Sequence, residues 1–268
     1  MDLIESLFGR PKCLLGVIHL LPLPGSPRWT GSMGGVADRA LADAEALEAS
    51  GFDGIVIENF GDAPFSRGFA GAGAVAGLAA VGARVADATR LPLGVNVLRN
   101  DAESAVSVAA AIGARFIRVN VHVGAAATDQ GIVQGDARST MRAIRDQSPG
   151  LAVFADVLVK HARPLGETDP GRVAADTAQR GLAHALIVTG EATGAPAPLD
   201  RVVAVRTAVP TVPVLVGSGV TPATARAVLE ACDGIIVGSA LMAGGKAGGP
   251  IDRERAALLA REARPRRD

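Results

Sequence analysis

Short apolar segments recur eight times along the 268-residue chain, and their spacing restricts the fold more than any other feature. Each is rich in β-branched residues, as buried strands are, and most gaps between them hold an alanine-rich segment with helical periodicity. The segments cover residues 13–20, 51–59, 93–99, 113–120, 153–160, 181–190, 212–219 and 231–239. Eight strands alternating with helices over about 250 residues predict an α/β fold, a closed (β/α)₈ TIM barrel.

An open, doubly wound sheet is the alternative architecture for such alternation. That fold commonly carries Gly-x-Gly-x-x-Gly after its first strand, and no such motif follows residues 13–20 here. No linker divides the chain. The sequence therefore favours one barrel domain over residues 1–268, with a core over about 13–260.

The composition excludes several classes of partner. Lys+Arg and Asp+Glu are both 27, which argues against nucleic acid or an anionic membrane as the main partner. Aromatic residues make up 3% of the chain, too few for base-stacking platforms. No segment has the length and hydropathy of a membrane span, and the N-terminus lacks the apolar region of a secretory signal. With Cys13 and Cys232 both in or beside apolar segments, a cytoplasmic protein is expected.

Two glycine-rich turns end the last two predicted strands. Gly217, Ser218 and Gly219 end the seventh, and Gly238 and Ser239 end the eighth. The loops after these two strands, with a helix N-terminus, form the usual phosphate site of (β/α)₈ barrels. We expect the N–H groups of both turns to bind phosphate, with the second glycine of the first turn needed for close approach of the ligand.

A helix is expected to begin immediately after the first of these turns. Thr221 resembles an N-cap residue, and Pro222 suits the first helical position. Two long loops, residues 21–35 and 123–137, leave the same end of the predicted barrel. Either is a candidate lid that excludes water from a site.

Polar side chains collect towards the C-terminal ends of the predicted strands, where barrel enzymes have their active sites. The candidate catalytic residues are His19, Glu58, Asn96, Asn120, Asp156, Lys160 and Glu191. Strand alternation would place Asp156 and Lys160 on one face of the fifth strand. Lys160 suits a Schiff-base amine or an acid, with Asp156 or Glu191 moving protons. The asparagines suit holding hydroxyls or an enediolate-like oxygen.

Each of these residues also has a structural interpretation. Asp156 and Lys160 would then form an ion pair, the asparagines would brace loops, and His19 would be a satisfied core histidine. No cofactor is predicted. A divalent metal stays open because His19, Glu58, His122 and His161 are present, although none shows metal-ligand spacing.

Several sequence blocks resemble the BtpA family, also called BtpA/SgcQ. They are KCLLGVIHLLPLPGSP, IENFGDAPF, LGVNVLRNDA, FIRVNVHVGAAATDQG, ADVLVKHA and IVTGEATG. The likeness runs in order over about residues 8–241. The resemblance implies a barrel fold. Cyanobacterial members are linked to the accumulation and stability of photosystem I at the thylakoid surface, whereas other members occur in organisms without photosynthesis, some among sugar-phosphotransfer genes. The resemblance to this family brings no established catalytic residues.

Two functions follow from the residues and the resemblance together. The first is an enzyme acting on a small phosphorylated metabolite, a sugar phosphate or nucleotide, by isomerase, lyase or glycosidic chemistry. The second is a non-catalytic accessory factor for photosystem I at the membrane surface. The converging polar residues favour the first. The expected partners are a small phosphorylated ligand and further copies of the chain, with no nucleic acid, no transmembrane segment, and peripheral membrane association left open.

Overall fold

A closed barrel of eight parallel strands forms the centre of the computed structural model, which describes residues 2–264. Around the barrel the strands follow the order β1-β11-β10-β9-β7-β4-β3-β2, which confirms the predicted (β/α)₈ fold. All strands in chain order are β1 Cys13–His19, β2 Gly54–Glu58, β3 Leu93–Asn96, β4 Phe116–Val119, β5 Ala125–Thr128, β6 Gly131–Gln134, β7 Ala152–Val157, β8 Ala162–Pro164, β9 Ala185–Thr189, β10 Val214–Gly217 and β11 Gly234–Val237.

Helices surround the barrel and bury their apolar faces against it. They are α1 Leu3–Phe8, α2 Met33–Ala49, α3 Ala72–Ala88, α4 Ala102–Ile112, α5 Ala137–Gln147, α6 Pro170–Ala175, α7 Leu199–Ala208, α8 Ala225–Ala231 and α9 Arg253–Ala263. Side chains such as Ser32, Asp101 and Asp136 cap the helix N-termini by accepting a backbone hydrogen bond. None of the described helices is long and apolar enough to cross a bilayer.

Helix α1, which the sequence pattern did not predict, packs against the apolar half of the barrel interior. Its Phe8 ring lies edge-on to the rings of Phe116 and Phe154, with centroids 5.7 and 6.4 Å away. These two rings stack on each other at 4.6 Å. They belong to strand positions N-terminal to the polar ones, so this end of the barrel is a packed core and the polar groups lie at the other end.

A small antiparallel sheet is formed by chain that leaves the C-terminal ends of two barrel strands. Strands β5 and β6 form a hairpin after β4, and β8, which follows β7, pairs with β5. Val121, Ala126, Val133 and Val159 make a separate apolar cluster there. Most of the expected lid loop at residues 123–137 is therefore an ordered hairpin.

Several predicted boundaries differ from the structure, and two of them bear on the site. The strand expected over residues 153–160 ends at Val157, because Leu158 adopts a left-handed backbone with φ of 53°. The helix expected from Thr221 begins at Ala225 as α8, since residues 222–224 form a turn. The carbonyl of Thr221 accepts the N–H groups of both Thr224 and Ala225 in that turn. Of the expected domain range, residues 1 and 265–268 lie outside the described residues.

Candidate functional site

The barrel interior changes from apolar to polar along its axis. Parallel register aligns His19 with Glu58 and Glu58 with Asn96 on neighbouring strands. Inward-facing positions alternate along each strand, so these side chains share one layer near the C-terminal ends. The buried polar residues at this end of the barrel include His19, Glu58, Asn96, Arg118, Asn120, Asp156 and Thr189.

Arg118 and Asp156 form a buried ion pair between neighbouring strands β4 and β7. The guanidinium donates from Nε to Oδ1 at 3.0 Å and from Nη2 to Oδ2 at 2.9 Å. Burial of the Asp156 side chain is complete. The carboxylate is therefore occupied by a bidentate contact, and it is not free to act as the proton shuttle that the sequence suggested.

The two candidate asparagines belong to the network around this pair. Asn120 donates to Asp156 Oδ2 at 2.9 Å, and Asn96 donates to the Arg118 carbonyl at 3.0 Å. A longer contact of 3.4 Å joins Asn96 to Asn120. Asn96 Oδ1 is buried and has no hydrogen-bond partner among the described residues. Both asparagines thus hold Arg118 and Asp156 in place.

His19 and Glu58 meet on the neighbouring strands β1 and β2. His19 Nδ1 accepts the N–H of Gly248 at 3.0 Å, and its ring stacks on Phe60 at 4.1 Å. Burial lowers the pKa of His19 to about 4 although the nearby Glu58 opposes this shift. The imidazole is therefore neutral near pH 7 and carries its proton on Nε2, which faces Glu58 Oε1 at 3.6 Å.

Lys160 points into the barrel mouth from a turn. This turn lies between Leu158 and His161, which both have positive φ, and Arg99 donates to the Lys160 carbonyl at 2.7 Å. Lys160 Nζ donates to Ser218 Oγ at 3.1 Å. Burial lowers the pKa of Lys160, and the positive charge of Arg118 lowers it further. The lysine thus reaches the pocket through the left-handed turn, and strand alternation does not explain its direction.

A cavity of about 410 Å³ joins these groups to both glycine-rich turns. Its polar lining includes His19, Glu58, Arg118 and Lys160. The remaining polar or turn residues of the wall are Thr193, Gly194, Ser218, Gly219, Thr221, Gly238, Ser239, Gly245 and Arg255. A volume of this size accommodates a small metabolite.

Backbone N–H groups of the two turns are available to a ligand. Those of Ser218, Gly219, Ser239 and Ala240 donate to no described residue. Ser239 begins a one-turn 3₁₀ helix, residues Ser239–Leu241, whose first N–H groups have no partner within the helix. Ser218 adopts φ of 75°, a strained conformation for a residue with a side chain. Such donors suit an oxyanion.

The glycines of these turns serve different purposes. A Cβ on Gly219 would lie 2.3 Å from Pro196 Cα, so this residue must be glycine for the loop after β9 to pack. Its replacement would displace that loop, contrary to the expectation that it would block only a ligand. A Cβ on Gly217 would touch Ile187 and Thr189 inside the barrel. Gly217 itself does not line the cavity.

A second cavity of about 1080 Å³ lies between the small sheet and the loop after β9. Asn120, Asp156, Lys160 and Glu191 all line it, so Lys160 contributes to both cavities. Glu191 is exposed, and its carbonyl accepts the N–H of His161 at 3.2 Å. Glu191 therefore lies at the rim and not among the buried groups. Asn96 lines neither cavity.

Residues 2–264 contain no group of three His, Cys, Asp or Glu side chains arranged to hold a metal ion. Within that range His19 and Glu58 lie together, but His122 donates to the carbonyl of Gly181 and His161 contacts Thr193. These four candidates therefore do not form one ligand set.

Two arginines of the cavity, Arg118 and Arg255, were not predicted from the sequence. Arg118 is the charged residue in the otherwise apolar strand FIRV, at a position that strand alternation directs into the barrel. A charge at an inward strand position was the signal that could have identified it. Arg255, on α9, donates to the carbonyl of Ala240 at 3.1 Å and lines the cavity rim. It had no sequence signal, because it is one of several charged residues on an exposed helix.

The fold and the cavity define a (β/α)₈-barrel protein with polar groups gathered at the C-terminal ends of its strands. The model of the BtpA family matches residues 10–265, and the chain belongs to that family. It is 43% identical over 252 residues to the photosystem I biogenesis protein BtpA of Synechocystis sp., covering 94% of this chain and 88% of that protein.

Solved structures similar to this chain include barrel enzymes. Orotidine 5′-phosphate decarboxylase from Pyrococcus horikoshii superposes with a TM-score of 0.57 at 17% identity, covering 94% of this chain and 99% of that one. Thiamine phosphate pyrophosphorylase from Pyrococcus furiosus gives 0.55 at 18% identity, covering 98% of each chain. At these identities the likeness shows the fold alone.

Proposed function

We propose that the protein is an enzyme that binds a small phosphorylated metabolite in the 410 Å³ cavity and transfers protons on it. One observation carries this proposal. Two turns with unpaired N–H groups share a single cavity with Glu58, Lys160 and Arg118. Both structurally similar enzymes are named for a phosphorylated compound, orotidine 5′-phosphate in one and thiamine phosphate in the other, and this supports the choice of ligand.

In this proposal the phosphate lies against the N–H groups of Ser218, Gly219, Ser239 and Ala240. Arg255 at the rim adds a positive charge on the same side. The unpaired N–H groups of the two turns favour an anion there. The rest of the metabolite then extends towards Lys160, Glu58 and His19.

The reacting groups are Glu58 and Lys160. Glu58 is the one carboxylate among the described residues that line this cavity, and it suits the role of proton acceptor. Lys160, with its lowered pKa, suits a proton donor or an amine that forms a Schiff base. Glycoside hydrolysis generally employs two carboxylates across the scissile bond, so isomerase or lyase chemistry fits better than glycosidic chemistry.

A non-catalytic role beside photosystem I has support from the name of the Synechocystis relative. The cavity favours an enzyme, because an accessory factor has no need for a buried lysine, an arginine and a carboxylate facing one pocket. Burying such groups costs free energy that a binding surface would not require.

The test introduces a charge at Ser239. An aspartate at this position places a negative charge beside the unpaired N–H groups and repels phosphate from them. We expect Ser239→Asp to weaken the binding of inorganic phosphate and ribose 5-phosphate at least tenfold in isothermal titration calorimetry.

Ser239→Asn is the matched control, since it has nearly the same shape without the charge. Its affinity for phosphate should stay within about threefold of that of the parent, because the neutral amide does not repel the anion. Equal binding of phosphate by both variants and the parent, or no binding by the parent, would overturn the proposed site.

A further inference from the structure

Arg118 has hydrogen-bonding capacity that its partner Asp156 does not use. Nε and Nη2 donate to the carboxylate, whereas Nη1 donates to no described residue. The side chain is buried and lines the 410 Å³ cavity beside Lys160. A buried guanidinium with an unused N–H facing a cavity is a binding group for an anionic oxygen.

The neighbours of Arg118 hold it rigidly in this orientation. Asp156 accepts two hydrogen bonds from one edge of the guanidinium, and Asn120 donates to the same carboxylate at 2.9 Å. Asn96 fixes the Arg118 backbone through its carbonyl. A donor that is positioned before the ligand arrives loses little entropy on binding, so its contact contributes more to affinity.

Two positive groups, Arg118 and Lys160, therefore line this cavity. Lys160 also contacts the first phosphate turn, because its Nζ donates to Ser218 Oγ at 3.1 Å. Asp156 balances the charge of Arg118, but it does not line this cavity. A ligand in this cavity therefore meets Arg118 without Asp156, and Glu58 is the one carboxylate among the described residues of the lining.

We propose that the substrate carries, besides its phosphate, a carboxylate at its other end, and that Arg118 binds it. Asp156 is then a positioning residue for Arg118. This inference rests on the proposed function, since the phosphate fixes the orientation of the substrate. The substrate class is a short phosphorylated carboxylic acid.

The experiment compares pairs of ligands that differ in one carboxylate. The first pair is 3-phosphoglycerate and glycerol 3-phosphate, and the second is 6-phosphogluconate and glucitol 6-phosphate. We expect the carboxylate to strengthen binding about tenfold in at least one pair, as one charge-assisted hydrogen bond does. The pair with the larger preference reports the distance between the phosphate turns and Arg118.

The variant removes both charges of the buried pair. Arg118→Met alone would leave Asp156 buried and unpaired, which is strongly destabilising, so Arg118→Met is combined with Asp156→Asn. This double variant should lose the tenfold preference while it binds glycerol 3-phosphate and glucitol 6-phosphate as before. Damage to the fold would instead weaken the binding of all four ligands by a similar factor.

Arg255→Met is the control for general charge effects in the same cavity. This variant removes a positive charge beside the phosphate-binding turns, so it should weaken the binding of both ligands of each pair by the same factor. Equal binding within both pairs by the parent protein would overturn this inference and leave the proposed function standing. If none of the four ligands binds to the parent, the proposed phosphate site fails, and the inference fails with it.

Discussion

His19 illustrates how burial determines the chemistry of a single side chain in this barrel. Its Nδ1 accepts a hydrogen bond from Gly248, so the proton of the neutral ring lies on Nε2, the atom nearest Glu58. The lowered pKa, about 4, keeps the ring in this state across the physiological range. His19 therefore directs a neutral N–H towards Glu58 at 3.6 Å, and it does not compensate the charge of Glu58.

This state of His19 predicts a pH dependence of stability. Unfolded, the histidine takes up a proton as the pH falls through about 6.5, whereas the native histidine does so only near 4. The unfolded state binds more protons between these values, so the free energy of unfolding falls as the pH falls. From about pH 7 to about pH 5 the loss due to His19 should be about 2 kcal/mol.

Urea denaturation of the parent and of His19→Gln at both pH values measures this contribution. The variant keeps a hydrogen-bond acceptor near Gly248 but cannot titrate. Its free energy of unfolding should fall by about 2 kcal/mol less than that of the parent. Other histidines contribute equally to both proteins and cancel in the difference. An identical pH dependence in the two proteins would show that His19 is not buried as a neutral ring.

Among the elements, α1 has a structural role that is separate from the cavity. Phe8 packs on Phe116 and Phe154 at the apolar end of the barrel. Phe8→Ala should lower the free energy of unfolding by about 3 kcal/mol, because it leaves a void in a packed core. Phosphate affinity should stay unchanged, since the binding turns lie at the opposite end.

Phe69→Ala is the matched control, because the same ring is removed from a side chain that is 63% exposed. It should change the free energy of unfolding by less than about 0.5 kcal/mol. Similar losses of stability in the two variants would contradict the role of α1 as a packed end of the barrel.

The elements also differ in how well the sequence predicts them. Barrel strands such as β1 and β10 were predictable because their apolar runs and bounding glycines are local signals. Helix α1 was not, since six residues do not form a stable helix alone and tertiary packing stabilises it. The turn that directs Lys160 inward depends on the left-handed backbone at Leu158, for which leucine gives no signal.

The candidate site was only partly predictable for the same physical reason. The turns at Ser218 and Ser239 were found because glycines mark them. Arg118 and Asp156 lie 38 residues apart, so the ion pair that occupies the carboxylate is visible only in the folded barrel. The sequence does not show which charged residues pair in the fold. Asp156 was therefore predicted to move protons, whereas in the structure it forms an ion pair with Arg118.

At the scale of the whole molecule, one end of the barrel provides stability and the other provides polar chemistry. The stacked aromatic rings and α1 lie at the N-terminal ends of the strands. Lys160, Arg118 and Glu58 gather with both turns at the C-terminal ends. This division is general in (β/α)₈ barrels, because their loops on that side vary without disturbing the packed interior.

The central claim is that phosphate lies on the turns after β10 and β11, and a crystal structure with ribose 5-phosphate tests it most directly. We predict phosphate oxygens within about 3.2 Å of the N–H groups of Ser218, Gly219, Ser239 and Ala240, with the sugar directed towards Lys160. A phosphate bound elsewhere, or a sugar directed out of the barrel and away from Lys160, would contradict the account.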